Sequence, residues 1–345
     1  MIPLLFALVT VHLVPSTAGV AARQPQLASD GRVVGLTYGE GGAIYFAASR
    51  DGGKSFAPRV KVAEAPMLML GRHRGPRIAF AGKSVVITAV TGPKAGEADL
   101  YAWHSTDGGA HWSKAARIND VAVSAREGLD GLAGDAKGRL FVAWLDHRGE
   151  GMELWGAQSV DGGATWSRNA AVYASPDGHI CECCHPSVAM DGAGQIVVMW
   201  RNWLGGSRDM YLAQSADGVK FSKAMKLGTG TWPLIACPMD GGGLAVQGAK
   251  VATVWRRMDS VYLAVPGQAE TKLGEGKDAA LAWDGEHVRA VWTEGTKLRT
   301  WSEGKSEVLA ETGAYASAVS LAGGGVVVAW EEKDGVSVAR LGGAK

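Results

Sequence analysis

An all-β fold built from repeated four-stranded units is predicted by three features of this 345-residue chain. A short turn motif recurs at near-constant spacing. Apolar strands ending in tryptophan recur in phase with it. No long stretch carries the period of an amphipathic helix. The 49 glycines suit a fold full of tight turns, and a hydrophobic content of 47 % is enough to bury a large core.

The turn motif reads "SRDGGKSF", "STDGGAHW", "SVDGGATW" and "SADGVKF". Its aspartates, Asp51, Asp107, Asp161 and Asp217, stand 56, 54 and 56 residues apart. A period that regular means stacked copies of one supersecondary unit. Within each unit a short alternating segment precedes an apolar strand such as "RLFVAWLD", "QIVVMWRN", "KVATVWRR", "HVRAVWTE" or "GVVVAWEE". A third strand leads into the Asp-Gly turn and a fourth follows it. The later units lose the motif and shorten, with Trp255, Trp292 and Trp330 only 37 and 38 residues apart. Four-stranded units around a ring are the blades of a β-propeller. Seven are expected, beginning near Gln26, Arg77, Glu127, Cys184, Cys237, Asp278 and Ala316, with six as the alternative if a short unit is irregular. The last lacks an outer strand, and residues after an N-terminal leader are expected to supply it. The repeated tryptophans Trp144, Trp200, Trp255, Trp292 and Trp330 are expected to pack between sheets.

The leader is residues 1–18, where the apolar run 2–14 is followed by the small residues Ser16, Thr17 and Ala18, with cleavage near Ala18. Residues 19–345 then form one propeller domain, exported to the periplasm or the extracellular space. No later segment reaches the roughly 20 apolar residues of a membrane span. A formal charge of +1 with scattered basic residues argues against nucleic acid as a partner. A monomer is expected.

The Ser-x-Asp-x-Gly-x-x-Trp motif resembles the Asp box, or BNR repeat, of the sialidase superfamily, over residues 26–226. The physics of the box is that of a turn: the carboxylate accepts backbone N–H groups and glycine takes positive φ. The resemblance implies boxes on the blade periphery, away from any active site. It also implies a glycoside hydrolase with an arginine cluster for the substrate carboxylate, a tyrosine nucleophile assisted by a glutamate, and an aspartate acid/base. Arg77 in "GPRIAF" is a partial match to the family's Arg-Ile-Pro motif. Tyr315 in "GAYASAV" stands where the nucleophile belongs, and Glu127 and Asp130 open the third blade. Arg201 and Arg256 follow strand tryptophans and are further candidates for the arginine cluster.

One stretch belongs to no repeat. "GHICECCHPSVAMDG", residues 178–192, holds Cys181, Cys183 and Cys184 between His179 and His185; the fourth cysteine is Cys237 in "IACPMDG". Blade phase places both stretches in adjacent lead-ins at the channel mouth, beside His73, Arg74, Arg126, Glu127, Asp278 and Tyr315. Three readings stand side by side. An even cysteine count in an exported protein suits two disulfides, with Cys181–Cys184 and Cys183–Cys237 as the pairing, because the adjacent Cys183 and Cys184 cannot bridge without strain. Thiolates with His179 or His185, and Met239 nearby, suit a soft metal such as copper or zinc. A C-x-x-C pair suits redox exchange. Large propellers have little need of disulfide staples, since their cores are extensive.

The leading expectation is an exported binding protein with a metal or a disulfide-braced site for a small ligand or glycan at the channel mouth. The alternatives are a glycoside hydrolase of sialidase type at the same mouth, using Tyr315, Glu127 and Arg77, and a platform for a protein partner. Arg148 in "DHRGEG" and Arg208 in "GGSRDM" fall in corresponding hairpins, where a shared structural role is expected.

Overall fold

In the computed structural model, which describes residues 10–13, 19–94 and 96–343, the chain forms seven four-stranded antiparallel sheets. Six sheets run in chain order from the inside outward. The first contains Ala22–Ser29, Val34–Glu40, Ala43–Ser49 and Val60–Glu64, and the inner strands of the next five are Arg77–Ala81, Asp130–Gly134, Ser187–Met190, Gly243–Gln247 and Lys277–Asp284. The seventh blade is composite. Ala314–Ser320, Val326–Glu331 and Val336–Leu341 are joined by Thr10–Leu13, which pairs with Val336–Leu341 in antiparallel register.

That last strand lies earlier than the sequence suggests. It falls inside the 1–18 segment expected to be a leader, and the residues just after that segment instead form the inner strand Ala22–Ser29 of the first blade. Residues 1–9 and 14–18, the rest of the expected leader with its cleavage site, lie outside the described residues.

The ring is held by seven apolar clusters, one at each blade seam. Leu36, Tyr38 and Val34 of the first blade meet Val327, Ala329 and Val338 of the seventh, so the ring is closed by apolar packing on both sides of its first blade. Trp144, Trp200, Trp292 and Trp330 are at most 1 % exposed, and Trp255 is buried with them, as packing residues should be. Among the described residues no helix is long and apolar enough to cross a membrane.

The boxes work as turns. Asp51 accepts the backbone N–H groups of Lys54 and Ser55 at 3.0 Å and the Ser49 hydroxyl at 2.8 Å. Asp107, Asp161 and Asp217 repeat the arrangement. The box glycine also seats each blade on the one before it. Gly163 has φ +89°, and a Cβ there would stand 2.7 Å from Val86 of the preceding blade. All four boxes thus sit at blade seams, remote from the axis.

Candidate functional site

The inner strands of all seven blades surround an axial cavity of about 200 Å³, whose lining includes His73, Arg77, His185 and Ser317. At the mouth the lead-ins converge. That of the second blade is a tight turn in which Gly71 and Arg74 exchange backbone hydrogen bonds of 3.0 and 3.1 Å. Its two tip residues, Arg72 and His73, both have positive φ, +53° and +66°, as a type I′ turn requires. Asparagine and glycine usually fill such a turn; arginine and histidine there hold conformational strain of the kind found at functional sites.

The turn carries His73 over the channel. Its Nε2 lies 2.8 Å from Asp278 Oδ1 of the sixth blade. Its ring stacks on His185 of the fourth blade with centroids 4.3 Å apart, and meets the edge of Tyr315 of the seventh at 5.1 Å. Asp278 and Tyr315 occupy one structural position. Each is the extra residue of a bulge between inner and second strand, with φ +54° and +52°, and Gln24 of the first blade is the third such residue, at +56°. Bulges of this kind re-aim side chains. Asp240 of the fifth blade is buried beneath, accepting the N–H of Asp278 at 2.9 Å and that of Gly242 at 3.3 Å.

Burial pushes His185 well below the ordinary imidazole range, helped by the charges of His73 and Arg77, so its ring is neutral. Its Nε2 faces the Gly242 carbonyl at 3.0 Å and carries the proton, leaving Nδ1 as a buried acceptor with no partner. Arg77 Nη1 and Asp278 Oδ2 also lack hydrogen bonds, although Lys277 Nζ approaches Asp278 Oδ2 at 3.6 Å. Burial, with Asp278 and Glu331 nearby, raises the Tyr315 phenol above its usual value, so it is a hydroxyl donor. For Asp278, burial opposes ionisation, but the His73 hydrogen bond and the Lys277 and Arg256 charges keep its carboxyl below the usual range.

The candidates for a sialidase-type centre separate. Tyr315 is at the mouth, but Glu127 is engaged by Arg74 and by His147 Nε2 at 3.0 Å. Arg77 is buried and donates to the carbonyls of Asp130 and His73. Arg201, a candidate for the carboxylate-binding arginine cluster, is 1 % exposed and donates to the carbonyls of Asp240, Arg208 and Arg256, each at 2.9 Å. It is an internal strut between the fourth and fifth blades. Arg256 donates to the Met258 carbonyl.

The cysteines lie together just outside this ring. Cys183 and Cys237 form a disulfide with Cα atoms 6.2 Å apart, which fits an oxidising compartment. Cys181 and Cys184 are free thiols with sulfurs 2.9 Å apart, and the Cys183 sulfur lies 3.8 and 3.9 Å from them. Cys181, Cys183 and Cys184 are buried while Cys237 is exposed. The disulfide state does not fit a copper or zinc centre. Cys183 has no thiolate to offer, and the Cys181 sulfur already receives the Arg208 guanidinium at 3.1 Å. His185 is turned to Gly242, and His179 packs edge-on against Trp203.

Arg208 was expected to match Arg148 in a shared structural role, and it does so in part: its guanidinium lies over Trp203 as that of Arg148 lies over Trp155, but its other partners differ. Arg148 lies over Trp155 and is paired with Asp146 at 2.9 Å. The fourth blade has the neutral Asn202 two residues after its tryptophan, where the third has Asp146, and Arg208 turns to the sulfur instead. Comparing those two positions in the sequence is the signal that exposes the difference. Asp240 has no comparable sequence signal.

An all-β ring with Asp boxes at its seams and a polar, multi-blade channel mouth defines a sialidase-like propeller. The sequence profile of the BNR repeat-like domain matches residues 43–231, more than half of the chain, and the chain belongs to that family. Among solved structures it is similar to a protein of unknown function from Dyadobacter fermentans, with 14 % identity, a TM-score of 0.55 and coverage of 97 % of this chain and 98 % of that one. It is similar to an α-L-arabinofuranosidase from Fusarium graminearum solved with arabinobiose, with 12 % identity, a TM-score of 0.53 and 97 % of each chain covered. It is similar to the NanB sialidase from Streptococcus pneumoniae, with 11 % identity, a TM-score of 0.53 and coverage of 96 % of this chain and 70 % of that one. At these identities the likeness establishes the fold alone. No curated protein matches the chain at a significant level.

Proposed function

We propose that the chain is an exported binding protein for a saccharide, held at the channel mouth by His73, His185, Tyr315 and Arg72, with the Cys183–Cys237 disulfide bracing the wall. The observation that carries this reading is the set of unpartnered buried polar atoms around His73. Arg77 Nη1 is a donor; His185 Nδ1 and Asp278 Oδ2 are acceptors. Buried polar groups without partners are rare and call for a ligand or ordered water. A polyhydroxy compound offers donors and acceptors at close spacing, and the His73 and Tyr315 rings give it apolar faces to rest on. Arg72 is exposed beside them with its Nη1 on Met239 Sδ at 3.2 Å, which favours an anionic sugar. The arabinofuranosidase and sialidase relatives agree with this class of ligand. A soft metal is the weaker reading, because the buried Arg208 guanidinium already lies 3.1 Å from the Cys181 sulfur and Cys183 is in a disulfide.

Turnover is a second reading, favoured by the His73–Asp278 hydrogen bond: a carboxylate that orients an imidazole is a common arrangement for proton transfer. The test is a glycan array of neutral and uronate- or sialate-bearing oligosaccharides, followed by calorimetry on any hit. Tyr315→Phe and Arg72→Gln should each weaken binding about tenfold, the size of one hydrogen bond or charge contact of roughly 1.4 kcal/mol. Wild-type protein that binds no oligosaccharide on the array, or variants that bind as tightly as wild type, would rule the mouth out as a saccharide site.

A further inference from the structure

The four sulfurs raise a question separate from the ligand at the mouth. Arg201 and Arg208 are 1 % and 6 % exposed, yet among the described residues neither has a carboxylate within ion-pair distance. The corresponding carboxylate of the third blade, Asp146, is Asn202 here, and Asp209 is turned away to Lys226, Thr231 and Trp232. A guanidinium stays charged at any pH a protein survives, and a buried charge without a counter-charge is strongly destabilising. The acid within hydrogen-bond reach is the Cys181 thiol, 3.1 Å from Arg208 Nη1. Burial works against a thiolate there, but the Cys184 thiol and the two arginines outweigh it and bring Cys181 to about 6. Its neighbour Cys184 is pushed the other way, by burial and by the Cys181 charge, and stays protonated. So a buried nucleophilic sulfur lies 3.8 Å from one sulfur of a disulfide whose other half, Cys237, is an exposed residue.

We propose that the four cysteines form a thiol–disulfide exchange relay, in which Cys181, held by Arg208 with its sulfur 3.8 Å from that of Cys183, attacks Cys183 and releases Cys237 as an exposed thiol. The Cys183–Cys237 bond breaks and a Cys181–Cys183 bond forms. Cys237 leaves with the electron pair and takes a proton from water. Cys184, 2.9 Å from Cys181, then loses its proton and attacks Cys181, which returns Cys183 as a thiol and leaves Cys181–Cys184 as the disulfide. No electrons enter or leave the protein in either step. The relay carries oxidising equivalents between a buried C-x-x-C pair and a surface sulfur, where a dithiol or disulfide partner can collect or deliver them. Cys237 is well placed for that, in an exposed lead-in whose Ile235 is 95 % exposed. The first step also opens the covalent link between the lead-ins that carry His185 and Asp240, and its reverse closes it.

The experiment is a maleimide trap on native, full-length protein without reductant. Samples are quenched in acid at intervals, digested without reduction and mapped by mass spectrometry. At the start the map should show Cys183–Cys237 and two free thiols at Cys181 and Cys184. With time maleimide should accumulate on Cys237, with the disulfide recovered as Cys181–Cys183 or Cys181–Cys184. Cys181→Ser should slow Cys237 labelling at least about tenfold, since a thiol is a far poorer nucleophile than a thiolate. Arg208→Gln should slow it as well, and Arg208→Lys should recover part of the rate; this pair serves if Cys181→Ser does not fold. Protein that begins with two closed disulfides, a wild type in which Cys237 is never labelled, or equal labelling in Cys181→Ser overturns the relay.

Discussion

Cys237→Ser isolates the covalent brace between the fourth and fifth blades. Cys237 is exposed, so serine leaves no cavity, and the change removes only the link. The two residues are 54 apart in sequence. Treating the disulfide as a restraint on the unfolded chain, a loop of that length gives about 14 cal/mol/K, or ~4 kcal/mol at 25 °C. An unfolding entropy of roughly 2.1 cal/mol/K per residue gives ~0.7 kcal/mol/K for the whole chain, so the Tm should fall by about 6 °C. The assay is calorimetry of wild type and variant, each with and without reductant. Wild type in reductant should drop to the variant's Tm, and the variant should not respond. A variant that melts with oxidised wild type, or a wild type indifferent to reductant, would show that the bond does not stabilise the ring and that the loop-entropy argument fails here.

Three further outcomes follow from other parts of the molecule. Asp161→Ala should lower stability by about 1 kcal/mol through lost turn hydrogen bonds, without changing ligand binding, as read by urea denaturation and calorimetry. Thiolate absorbance at 240 nm should appear as pH rises through about 6 and be missing in Cys181→Ser. An unfolded thiol titrates near 8.5, so the ion's contribution to stability is complete above that value and is lost as pH falls through the folded value; Tm should therefore rise with pH across this window more in wild type than in Cys181→Ser.

The blades were legible because each is a local pattern repeated. Alternating apolar residues, a tryptophan at one strand position and an Asp-Gly turn decide where Asp146, Arg201 and Trp292 fall along the chain. The mouth was legible only as a neighbourhood. Blade phase brings His73, Asp278 and Tyr315 to one end of the axis. It does not say that His73 crosses the channel, because that depends on a two-residue turn held at positive φ without glycine. Nor does it separate a buried strut from a ligand-binding arginine. Arg201 and Arg256 follow equivalent tryptophans, yet one is enclosed by three backbone carbonyls of the fourth and fifth blades and the other borders solvent. The closing strand Thr10–Leu13 was hidden for a different reason: a short apolar β-strand and the core of a leader have the same composition.

The expectation that so large a propeller needs no staple holds for its blades and fails for its lead-ins. Seven seam clusters fix the sheets, whereas among the described residues the lead-ins carry isolated bridges and one small cluster, Cys181, Cys183 and Cys184 with Met239. The fifth blade's is the extreme case. After the two-residue strand Met225–Lys226 the chain runs from 227 to 242 without a strand, and its only bridge is Ser207 with Pro233. Loops of that length inside compact domains are uncommon and usually functional. Arg201 holds one end of it through the Asp240 carbonyl, and Cys183 holds the middle through Cys237. A brace made of hydrogen bonds alone would not respond to thiols, whereas one of these two ties is a disulfide with a free sulfur 3.8 Å away. In the proposed relay, opening the Cys183–Cys237 bond unties the lead-in that carries Asp240, whose carboxylate accepts the N–H of Asp278, the residue that holds His73.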